Sequence, residues 1–114
     1  MKKTLLFTIA LFLTVFINAQ TFTENNITYE VTSSTTVKTT GYNTAGGTVV
    51  DIPATVTDNS ITYNITEIGV QSFFSSSLTS VTIPDSVEII GASAFSNNNN
   101  LTSATIGEGV TSIG

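Results

Sequence analysis

The chain has 114 residues, of which only 10% are charged; eight acids stand against three bases, and cysteine and histidine are absent. That composition removes disulfide staples, thiol nucleophiles, the commonest general base and the usual zinc ligands. It also excludes a nucleic-acid surface, which needs clustered Lys and Arg to displace counterions from phosphates.

Residues 1–19 read as a secretory signal peptide. Lys2 and Lys3 form a basic start, Leu5 to Ile17 an apolar stretch too short to span a bilayer, and Ile17 and Ala19 occupy the −3 and −1 positions of a cleavage site. Cleavage there leaves residues 20–114 with Lys38 as the single base against eight acids, a net charge of −7. No membrane insertion is expected after cleavage. Without a cysteine at the cleavage site, a lipid anchor at that position is ruled out.

Residues 20–46 predict an N-terminal antiparallel β cap followed by a loop. Ile27, Tyr29 and Val31 alternate with Thr28 and Glu30, the two-residue period of a half-buried strand, and Asn25-Asn26 and Ser33-Ser34 offer turns. Residues 47–64 predict a degenerate first rung. Its Val50, Ile52, Pro53 and Val56 repeat as Val81, Ile83, Pro84 and Val87, 31 residues on, with a small hairpin around Asp58-Asn59-Ser60 taking up the extra length.

From residue 65 to 114 the chain repeats itself. Ile-Gly recurs at 68, 90 and 113, Leu78 returns as Leu101, Val81 as Ala104 and Ile83 as Ile106. A period of 22–23 residues marks a solenoid whose rungs bury apolar faces only against one another. Ile68, Phe73, Leu78, Ile83, Ile90, Phe95, Leu101 and Ile106 are the expected core, with the two phenylalanines stacked in a column. Pro84, and Gly107 in the next copy, end the strand. Gly69, Gly91 and Gly114 are expected where the backbone turns through a conformation that a Cβ would resist. The run from Asn97 to Asn100 reads as an exposed polar corner. The last rung is incomplete, so the chain is expected to be the N-terminal part of a longer protein.

The pattern I-G-x-x-[AS]-F…L-T-S-[VA]-T-I-[PG]-x-x-V resembles the BspA-type leucine-rich repeats of bacterial secreted and surface proteins. The resemblance covers residues 65–114, and residues 22–64 look like the β cap that often precedes such repeats. It implies a mainly β, right-handed solenoid with a parallel sheet along one face, exported to the medium or the cell surface. The cysteine common after the phenylalanine is replaced here by Ser or Asn. Adhesion to proteins or cells is the function the resemblance implies, with the ligand unnamed.

The residues themselves offer little chemistry. The eight acids are scattered, so no carboxylate pair faces across a cleft as a glycosidase requires. Asp51 or Asp58 with neighbouring carbonyls could be imagined around calcium, yet no ligand-spaced loop supports it. No catalytic residue, cofactor or metal is therefore expected. The positions to bet on for binding are the outward strand columns: Val49, Ser80 and Ser103 in one, Asp51, Thr82 and Thr105 in the next. Two rival readings stand beside a recognition module: a structural spacer, and an accessory region of a larger secreted enzyme whose catalytic groups lie elsewhere.

Overall fold

The computed structural model describes residues 20–114; the signal-peptide reading of residues 1–19 lies outside the described residues. β1 (Thr21–Glu24) and β2 (Ile27–Val31) pair antiparallel through Asn25 and Asn26, both left-handed at φ 51° and 68°. Asparagine tolerates that region, which is why a two-residue turn forms there without glycine. β2 pairs antiparallel with β3 (Thr36–Tyr42), and Ile27, Tyr29, Val37 and Thr39 point into the core. β4 (Val49–Asp51) follows a single 3-10 turn at Thr44–Gly46. β5 (Thr55–Asp58) and β6 (Ile61–Ile68) form a hairpin whose turn residues, Asn59 and Ser60, are again left-handed.

The repeats add β7 (Ser80–Ile83), β8 (Ile89–Ile90), β9 (Ser103–Ile106) and β10 (Ser112–Ile113). β4, β7 and β9 make a three-stranded parallel sheet in which Val50, Val81 and Ala104 are in register. β6, β8 and β10 make a second parallel ladder, with Ile68, Ile90 and Ile113 in register. The sequence suggested a parallel sheet on one face; the structure carries a parallel ladder on a second face too. Two-residue strands such as β8 and β10 are too short to show an alternation, so the sequence had no period to reveal them. β3 joins this second ladder in parallel with β6, placing Thr39 beside Ile68. The antiparallel cap is thus continuous with the solenoid rather than laid across its end.

The core runs between these sheets. Phe73, Leu78, Ile65, Ile68, Val37 and Val87 have no exposed surface. Phe95 and Leu101 are only partly buried, and Ile106, expected in the core, is 48% exposed. The reason is positional: β9 has β7 on one side and, among the described residues, no strand on the other.

The glycines after the repeated isoleucines need another explanation than the one their sequence suggested. Neither Gly69 nor Gly91 has a positive φ; the left-handed residues lie two positions later, at Gln71 (φ 56°) and Ser93 (φ 55°). What excludes a side chain is the neighbouring rung. A Cβ on Gly91 would fall 2.7 Å from the Val70 nitrogen and 2.9 Å from the Gly69 carbonyl carbon. The same close approach lets the Gly91 N–H reach the Ile68 carbonyl at 2.7 Å. Gly91→Ala should therefore wedge the rungs apart and cost about 1–3 kcal/mol, as overpacking does. A denaturant midpoint equal to that of the unaltered chain would contradict this.

Two tyrosines tie the cap to alkaline pH. Burial, with the Glu24 carboxylate second, pushes the Tyr29 hydroxyl up to about 12, and burial also raises Tyr42. The folded chain then holds protons that the unfolded chain releases near pH 10. The stabilisation is complete below about pH 10 and falls as pH climbs toward 12, because the unfolded state binds fewer protons there. Thermal midpoints measured across that window should drop, and Tyr29→Phe should flatten the drop.

Candidate functional site

β4, β7 and β9 alternate in the ordinary way for a sheet with one buried face. Val50, Val81 and Ile83 turn inward, so their neighbours turn outward. Val49, Ser80 and Ser103 are in register across the three strands, and so are Asp51, Thr82 and Thr105. Val49 is 65% exposed; Asp51, Ser103 and Thr105 are exposed, and Ser80 and Thr82 are partly covered. Strand spacing places successive members of each column about 4.8 Å apart.

A threonine column borders this face and locks the rungs together. The Thr79 N–H donates to the Thr48 carbonyl at 2.7 Å, and the Thr102 N–H to the Thr79 carbonyl at 3.1 Å. The Thr79 hydroxyl donates to the Thr48 carbonyl as well, at 3.2 Å. The face is thus a stiff array of hydroxyls with one valine and one carboxylate at its β4 end. Such an array can accept and donate hydrogen bonds along an extended partner. It holds no nucleophile with a base beside it.

Among the described residues no group of three or more His, Cys, Asp or Glu side chains comes together. Asp58 accepts from the Gln20 amide at 3.2 Å, and Asp85 accepts from the Glu108 N–H at 2.8 Å, so both carboxylates serve local structure. Asp51 instead lines a groove of about 400 Å³ between the cap and the first rung, with Glu24 also in its wall and Tyr29, Tyr42, Val50 and Val56 contributing apolar surface. Sequence reasoning missed this groove. Its walls come from β1 to β5, whose contributions no local spacing relates.

No helix among the described residues is long and apolar enough to cross a membrane. A family model, the BspA type leucine rich repeat region, matches residues 52–114. A leucine-rich repeat protein from Bacteroides capillosus is similar at 36% identity and a TM-score of 0.78, over 82% of this chain and 70% of that one. A leucine rich cell surface protein from Faecalibacterium prausnitzii is similar at 31% identity and a TM-score of 0.73, over 86% of this chain. A leucine-rich repeat protein from Bacteroides ovatus is similar at 32% identity and a TM-score of 0.72, over 79% of this chain. The match spans only 27% and 24% of these last two proteins. No curated protein matches the chain.

Proposed function

The chain belongs to the BspA-type leucine-rich repeat family, and from that premise we propose that it is an exported, non-catalytic module that recognises protein at a bacterial cell surface. The observation that carries this reading is the outward face of β4, β7 and β9, where side chains stand in straight columns across three rungs. Open faces of stacked repeats are the usual recognition surfaces of such proteins. The cell-surface description of the Faecalibacterium relative and the basic, apolar start of this chain support export. The face has neither an aromatic residue nor an arginine to act as an anchor, and those residues dominate strong interfaces. A single copy therefore binds weakly, and useful adhesion comes from many rungs or many copies.

Fusing the chain to a trimerising tag and titrating it onto intact epithelial or bacterial cells tests the proposal. Saturable binding is expected, with Thr82→Arg plus Thr105→Arg abolishing it while leaving the circular dichroism spectrum unchanged. Absence of saturable binding to every cell type would favour the spacer reading. Binding indifferent to the double substitution would remove the sheet face as the site.

A further inference from the structure

The groove between the cap and the first rung has a feature that the sheet face lacks: an open strand edge. Among the described residues, β4 stands at the edge of its sheet, paired with β7 alone. The Thr48 carbonyl accepts from Thr79, and the Ile52 N–H donates to the Thr82 carbonyl at 3.0 Å, so the even-numbered residues of this segment turn their backbone groups toward β7. Backbone direction alternates along a strand. The N–H and carbonyl groups of Val49 and Asp51 therefore point away from β7, on the side of the groove that these residues line.

Natural edges are usually blunted by lysine, proline or a covering loop, because a free edge invites another chain. Here the edge residues are Val49, Val50 and Asp51, and the groove beside them is walled by Glu24, Tyr42, Pro53 and Val56. Its only charged side chains are the two carboxylates, Glu24 and Asp51. The one basic residue of the described chain, Lys38, is engaged 3.3 Å from Glu30. Among the described residues, no basic side chain lines the groove to neutralise those carboxylates. The apolar walls and about 400 Å³ of space suit one or two side chains of a bound segment.

We infer that this groove takes an extended, lysine- or arginine-bearing segment of a partner protein, added as a strand along the free edge of β4. The backbone groups of Val49 and Asp51 supply the ladder. Glu24 and Asp51 select basic side chains, and the tyrosine and valine walls take the apolar ones between them. Charge complementarity of this kind sets specificity and speeds encounter. The site shares Val49 and Asp51 with the sheet face. It runs along the edge of β4 toward Glu24 and Val56, away from Thr82 and Thr105, so substitutions at those two threonines and at Glu24 separate the two sites.

The test uses residues 20–114 and two short capped peptides, one alternating lysine with valine and one alternating glutamate with valine. Titration followed by amide chemical shifts should give saturable binding of the lysine peptide only, weakened by salt, with shifts centred on Glu24, Val49, Asp51 and Thr55 to Thr57. Val49→Pro deletes an outward N–H while sparing the bonds to β7, and it should weaken binding about tenfold. Should that variant fold poorly, Glu24→Lys gives the second reading, again with a loss of about tenfold. Thr105→Arg, on the sheet face, should leave the affinity unchanged. Equal binding of the two peptides, shifts confined to β7 and β9, self-association through β4 in place of peptide binding, or full affinity in Glu24→Lys would each overturn the inference.

Discussion

Phe73→Ala lowers the stability of the folded chain by about 3–5 kcal/mol, the loss typical of a fully buried phenylalanine. The ring has no exposed surface. It lies between two others: Tyr42 of the cap at 5.4 Å between centroids, and Phe95 of the next rung at 5.2 Å and nearly parallel, at 11°. Removing it opens a cavity at the junction of cap and solenoid, where no side chain can slide across without breaking the register of a ladder. Phe95→Ala costs less, because Phe95 is covered on the Phe73 side and only partly elsewhere. Equilibrium urea unfolding of both variants checks the order. A larger loss at Phe95 than at Phe73 would mean that the column does not transmit the cap's packing into the repeats.

This column shows what the sequence could and could not disclose. The stacking of Phe73 on Phe95 was legible, because the two are separated by one repeat and preceded by the same Ile-Gly pair. Tyr42 as the column's first member was not. It sits in an antiparallel hairpin with its own period, and only the parallel pairing of β3 with β6 brings it beside Phe73. The same limit hid the groove beside β4, whose walls are distant in sequence. Spacing also overstated the core: it treats all copies alike, so Ile106 looked equivalent to Ile83, whereas burial depends on having a rung on both sides. For glycine, the position was legible and its cause was not. A left-handed turn and a close backbone approach select the same residue, and at Gly69 and Gly91 it is the approach of the neighbouring chain.

The asparagine run is the sharpest correction, and it yields the second large effect. Its composition reads as a solvated corner, and Asn97, Asn99 and Asn100 are indeed exposed. Asn98 is buried, with 8% of its surface accessible. Its Oδ1 accepts from the N–H groups of Ser76 at 3.1 Å and Leu78 at 2.9 Å. Its Nδ2 donates to the carbonyls of Phe73 and Phe95, both at 2.8 Å. One amide thus satisfies corner backbone groups in two rungs. Asn98→Ala strands four backbone groups, at about 1–3 kcal/mol for each that water cannot reach. Its total loss should therefore approach that of Phe73→Ala. Asn98→Asp should do no better, since a carboxylate keeps the two acceptor contacts but aims an oxygen at the Phe73 and Phe95 carbonyls. Asn99→Ala, on the exposed part of the same corner, should shift stability by about 0.5 kcal/mol or less. Parallel unfolding curves decide the matter: a steep loss at Asn98 with none at Asn99 identifies a cross-rung clamp, whereas equal small shifts at both would reduce the run to a solvated turn.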